Sequence, residues 1–104
     1  MAEPSDVVMN EQTGRFELTL DGVTAFSEYR LRDNDMLLPH TVTPQALEGR
    51  GIGSVLARAA LGHARAHGLK VKPTCAFIAA YITKHPEWQD VVHPHYRARL
   101  GLPA

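Results

Sequence analysis

The chain has 104 residues, 44% of them apolar and 21% charged, which suits one soluble globular domain with a single core. Eleven Lys and Arg balance eleven Asp and Glu, so the net charge is zero and the basic excess typical of nucleic-acid binders is missing. No apolar run approaches the roughly 20 residues that span a bilayer, the start lacks the features of a signal peptide, and a lone cysteine, Cys75, excludes an internal disulfide framework and fits a reducing cytoplasm.

Residues 1–5 are expected to be disordered. Residues 7–10 read as a short strand and Glu11-Gln12-Thr13-Gly14 as a turn. Residues 15–20 alternate, with Phe16, Leu18 and Leu20 on one side and Arg15, Glu17 and Thr19 on the other. Asp21-Gly22 is a hairpin turn. Residues 23–32 follow as one strand, Ala25, Ser27, Tyr29 and Leu31 opposing Thr24, Phe26, Glu28 and Arg30. A turn around Asn34 leads into another strand over residues 36–42. The front half is thus an antiparallel meander.

The period then changes. Ile52, Val55, Leu56, Ala59, Ala60 and Ala64 mark an apolar helical stripe, and Gly68 ends that helix. Residues 69–74 form a strand. Strand, helix, strand is a right-handed crossover, so segments 36–42 and 69–74 are expected to be parallel neighbours. A second helix runs over residues 76–84 with Phe77, Ile78, Tyr81 and Ile82 inward, and Pro86 stops it. Another helical turn is expected over residues 86–92, and residues 93–104 form a tail without a clear period. The expected fold class is α/β (α+β): a mostly antiparallel sheet with one parallel strand pair and two principal helices, in a domain spanning residues 6–92.

The junction of the two halves is Glu48-Gly49-Arg50-Gly51-Ile52-Gly53-Ser54. Alternating glycines let a backbone bend tightly and bare its N–H groups, and a helix that starts there adds its own unpaired N–H groups and the positive end of its dipole. Such a loop makes a pocket for a pyrophosphate, or else simply joins strand to helix. A Walker A loop is excluded because no lysine follows the glycines. A dinucleotide fingerprint fails because Ser54 stands where its third glycine belongs. Six histidines are scattered along the chain; His63 and His67 share a helix face that is mostly surface, and His93-Pro94-His95 is a weak pair, so no metal site is expected.

An extended strand, then Gly49-Arg50-Gly51-Ile52-Gly53-Ser54, then an amphipathic helix resembles the acetyl-CoA pyrophosphate loop of the GNAT superfamily of N-acetyltransferases. His40-Thr41-Val42, Ala46-Leu47-Glu48-Gly49, Pro73-Thr74-Cys75 and Tyr81 through His85-Pro86-Glu87 are similar to a very small GNAT-like subfamily, a likeness covering residues 7–92. The chain departs from the superfamily in three places. Glu48 replaces the usual Gln or Arg, and its carboxylate is expected to turn away from the phosphates. The two helices that usually shape the acceptor site are replaced by the turn at residues 11–14. The further C-terminal strands are missing.

The resemblance implies acetyl-CoA as cofactor, with Val42, Gly49, Arg50, Gly51, Ile52, Gly53 and Ser54 around it. Lys84 and His85 would meet its adenosine phosphates or be a solvated helix end. Three residues are candidates for chemistry. Cys75 stands at a helix start, which lowers a thiol pKa, so it is a nucleophile with His40 as its base, or a small buried hydrophobe. Tyr81 is a candidate general acid for the departing thiolate, or a packing residue. Trp88 reads as packing beneath the tail. The implied function is transfer of an acetyl group to a primary amine of a small molecule or protein, without nucleic acid or membrane as partner. A non-catalytic acyl-CoA-binding module is the alternative, and a plain interaction domain a third.

Overall fold

A computed structural model of the chain describes residues 2–103. The start and tail of the chain, expected to lack regular structure, end on Met1 and Ala104, which lie outside the described residues. Strands β1 (Val8–Asn10), β2 (Arg15–Leu20) and β3 (Val23–Glu28) form the antiparallel meander. Asp21 and Gly22 both take positive φ, 53° and 76°, as a two-residue hairpin turn with matching strand twist requires. Alternation buries Phe16 and Leu18 of β2 with Ala25 and Ser27 of β3 on one face.

Two expected strands are each broken. The strand expected over residues 23–32 leaves its sheet at Tyr29 and resumes as β4 (Arg30–Arg32). The strand expected over residues 36–42 becomes β5 (Asp35–Leu37) and β6 (Thr41–Val42). Pro39 lies in the second break and has no N–H to give a ladder. The breaks face each other across a hydrogen bond from the Glu28 amide to the His40 carbonyl, 2.8 Å. Here the chain passes between two sheets, ordered β1-β2-β3-β6 and β4-β5-β7, with β7 at Lys70–Lys72. β5 and β7 are the expected parallel pair, Met36 opposite Val71, but the pairing covers three residues and excludes Val42.

Helix α1 (Ile52–Ala66) packs across β2, β3 and β7. Its buried stripe includes Leu56, Ala60, Leu61 and Ala64, all at 0% exposure. Burying leucines such as Leu56 and Leu61 contributes about 1.5–3 kcal/mol each. Gly68, at φ +68°, turns the chain out of the helix into β7. Helix α2 (Ala76–Lys84) buries Ile78, Tyr81 and Ile82. Phe77 does not join them: it is 43% exposed, because it lies on the flank of the stripe, over Gly53 of α1.

Both ends carry local structure among the described residues. Pro4–Asp6 is a 3-10 turn tied by the Glu3 amide to the Asp6 carboxylate. Pro86–Val91 is a 3-10 stretch, Val92 bridges to Val71, and α3 (Pro94–Arg97) follows. Trp88 lies under the Arg65 guanidinium, 4.4 Å away, while Arg65 also bonds the Glu87 carbonyl and pairs with Asp90. Arg97 donates to the Gln89 and Pro103 carbonyls, which holds the tail onto the domain.

Candidate active site

The glycines between Glu48 and Ser54 serve two different needs. Gly49 and Gly51 have φ of +79° and +70°, a region L side chains rarely adopt, and a Cβ on either would meet nothing within 4 Å. Their role is torsional, and the space outside them is open. Gly53 is helical, and a Cβ there would fall 2.7 Å from the Phe77 ring, so its role is close approach of α2 to α1. Gly51 is the N-cap of α1 and brings no side chain, so the amides of the first helical turn are left to whatever occupies the loop. The Gly51 carbonyl accepts the first helical bond, from Val55 at 3.2 Å.

Three hollows meet at Ser54. One of about 640 Å³ lies between Leu20, the loop and Arg58. A second, about 320 Å³, is bounded by Thr43, Leu47, Glu48, the loop and Phe77. The third, about 210 Å³, continues along α2 past Phe77, Tyr81, Lys84 and His85. Arg50 pairs with Asp21 at 3.4 Å, both side chains well exposed. An exposed pair contributes about 0–1 kcal/mol, so this contact does not commit the guanidinium.

The parallel strands part beside the loop. The Leu38 amide still donates to the Lys72 carbonyl (3.1 Å), and the Cys75 amide donates back to the Leu38 carbonyl (3.0 Å). Beyond these bonds Thr41 and Val42 turn to β3, while Cys75 becomes the N-cap of α2. β6 is the last strand of its sheet, so its outer edge is unpaired among the described residues.

The structure does not assemble the His40–Cys75 pair. Ser27 is opposite Thr41 and Phe26 opposite Val42, so successive residues of β6 face opposite sides. Thr41 faces inward, where its hydroxyl is 3.1 Å from that of the fully buried Ser27 and 3.6 Å from the Cys75 sulfur. His40 shares the outer face with Val42, is exposed, and sets its ring edge towards Phe26, 6.4 Å between centroids. Cys75 itself is 9% exposed and its thiol caps no helix amide. Tyr81, Lys84 and His85 do come together on the third hollow. Tyr81 is buried, stacked on the His85 ring at 3.9 Å, with His85 Nδ1 2.7 Å from the Tyr81 carbonyl oxygen.

Four residues of this region, Ser27, Thr41, Phe77 and Arg58, escaped the reading of the sequence as site residues. A hydroxyl at an inward strand position, Ser27, signalled a buried polar partner, which is Thr41. A glycine inside the first helical turn signalled a close neighbour, which is Phe77. Arg58, a cation on α1 two turns past the loop, borders the largest of the hollows that meet at Ser54, the one of about 640 Å³. Among the described residues no three or more His, Cys, Asp or Glu side chains converge as metal ligands, and no helix is long and apolar enough to cross a membrane.

Comparison with known proteins bears on this geometry. The sequence profile of the family described as GCN5-related N-acetyl-transferase matches residues 15–91. Protein NATD1 of Mus musculus is 43% identical over 63 residues, 61% of this chain and 52% of that protein. Protein NATD1 of Gallus gallus is 41% identical over 56 residues, 54% of this chain and 51% of that one. The matched stretch is thus about half the length of these curated relatives. An NMR solution structure from Staphylococcus aureus, described as GCN5-like, superposes with a TM-score of 0.68 at 29% identity, over 89% of this chain and 91% of that one.

Proposed function

The chain belongs to the GCN5-related N-acetyltransferase family, and from that premise we propose that it binds acetyl-CoA and transfers the acetyl group to a primary amine. The observation that carries this reading is the uncapped start of α1 at Gly51, beside the point where β5 and β7 part. The residues fit such a cofactor. A pyrophosphate suits the bared amides of the first helical turn and the open space over Gly49 and Gly51. Arg50, Arg58 and Lys84 border the hollows that meet there and supply positive charge. The unpaired edge of β6 offers backbone groups to the amides of a pantetheine arm. When bound, acetyl-CoA supplies an activated thioester.

The chain's own groups have narrower tasks in this reading. Tyr81 stands on the hollow that continues from the loop and is the general acid for the leaving thiolate. Cys75 lines the gap with its thiol held towards Thr41, a positioning role in direct transfer. The acceptor is a small molecule or a protein amine. A second reading, a module that binds acyl-CoA without transferring it, is favoured by one feature: only a turn separates β1 from β2, so no helices enclose an acceptor there.

Gly51→Val separates the cofactor site from the fold. Valine at φ +70° is strained, and the strain falls on the loop rather than the core. Calorimetry is expected to show coenzyme A binding the parent and at least tenfold weaker binding by a folded variant, about 1.4 kcal/mol. Equal affinities would remove the loop from the site, and no binding by the parent would end the cofactor reading. Mass spectrometry of the parent with acetyl-CoA and a mixed amine and peptide library distinguishes enzyme from module, since a module leaves every amine unacetylated.

A further inference from the structure

The sheet β4-β5-β7 carries its own unexplained surface, on the outer face away from α1. Register sets Arg30, Leu37 and Lys72 in one row across the three strands, and Arg32, Asp35 and Lys70 in the next. Its one carboxylate, Asp35, is already held by Lys72 at 3.2 Å, with His93 Nε2 at 3.7 Å. Arg30 and Arg32 are exposed and have no ion-pair partner among the described residues. Arg30, Arg32, Asp35, Leu37 and Lys72, with Leu31 and with Tyr96 of α3, line a groove of about 490 Å³, and the Arg99 guanidinium lies 5.0 Å over the Tyr96 ring. In a chain of zero net charge this is a local excess of cations.

The same place has an open strand. β4 is the edge of its sheet, so its outer backbone groups are unpaired among the described residues. Its middle residue, Leu31, takes the alternate strand position opposite the buried Met36, yet is 51% exposed and borders the groove, a half-bared large apolar side chain. We propose that the open edge of β4 and the basic groove beside it dock an extended acidic segment of a partner protein. A segment added to this edge would alternate its side chains across the sheet. Acidic residues would lie beside Arg30 and Arg32, and apolar ones beside Leu31. A nucleic acid would satisfy the arginines but neither the backbone edge nor Leu31, which is why a peptide is the fitting occupant. This surface goes beyond acetyl transfer, and its test reads binding alone.

The probe is a fluorescein-labelled octapeptide alternating glutamate and valine, followed by anisotropy with the full chain. Binding is expected, weakening about tenfold between low and physiological salt because the contacts are exposed and screened. The folded charge-reversal variant Arg30→Glu/Arg32→Glu is expected to lose at least about tenfold, and the milder Arg30→Gln/Arg32→Gln a smaller factor. A lysine–valine octapeptide is expected not to bind. Amide shifts on titration should centre on β4 and Lys72 and spare Gly49 to Ser54. No binding of the acidic peptide, or undiminished binding by both variants, would overturn the proposal. Tighter binding of a duplex DNA oligomer than of the peptide would overturn it too, in favour of a nucleic-acid surface.

Discussion

At the scale of single residues, the phase of β6 decides the chemistry open to Cys75. A relay through an acetylated thiol needs a base within hydrogen-bond reach of the sulfur. The residue beside it is Thr41, whose hydroxyl also meets Ser27, and a threonine is no base at neutral pH. His40, one position earlier, projects from the other face of the strand. Direct transfer is therefore the expected route. Incubation with acetyl-CoA alone should leave no hydroxylamine-labile acetyl group on the protein, and Cys75→Ala should keep turnover within about tenfold of the parent through positioning alone. An acetyl adduct on Cys75, together with loss of all turnover in the alanine variant, would reinstate the relay.

At the scale of elements, the contact between α1 and α2 turns on Gly53. Alanine in a helix is favoured over glycine by about 1 kcal/mol, so the substitution should stabilise α1 in isolation. Its Cβ would fall 2.7 Å from the Phe77 ring. That ring is 43% exposed and can swing outward, so the fold should survive. The ring then moves within the walls of two of the hollows at Ser54. Gly53→Ala is expected to change the unfolding free energy by less than about 1 kcal/mol while weakening coenzyme A binding several-fold. Adding Phe77→Leu should restore much of the affinity in a double-mutant cycle. Additive losses would mean that the two residues act separately.

The elements also show what the sequence makes legible. The Asp21-Gly22 hairpin, the glycine loop with its helix and the parallel crossover are each marked by local chemistry, and each is present. The exchange of sheets at Tyr29 and at Leu38–His40 is not marked in the same way. The apolar and polar residue types alternate on through residues 23–32 although burial alternates only as far as Tyr29 and Arg30–Arg32 are all exposed; residue alternation reports faces rather than neighbours. Pro39 is a local mark of the second break, but the strand expected over residues 36–42 runs through it. The sequence likewise put His40 and Val42 on one face, but which face the start of α2 would meet is a property of the packed whole.

For the whole molecule, stability should depend on pH through the packing of α1 over the meander. His63 sets its ring edge against the buried Phe16, 5.8 Å between centroids, and stacks on His67 at 4.1 Å. Burial first, and the neighbouring His67 second, hold its pKa below the ordinary 6.5. Between that lowered value and 6.5 the unfolded chain binds more protons than the folded one, so stability rises with pH across this window. The contribution is fully present above 6.5 and is lost as pH falls through the window. The midpoint of thermal unfolding should therefore drop as pH falls below 6.5. Carboxylates add to any acid loss, so the measurement that isolates His63 is a difference. His63→Gln should flatten the slope in this range, because the variant has no imidazole to charge against Phe16. His67→Gln should flatten it less, since it removes only the weaker of the two causes and leaves the burial in place. A slope unchanged by His63→Gln would assign the acid sensitivity elsewhere in the domain.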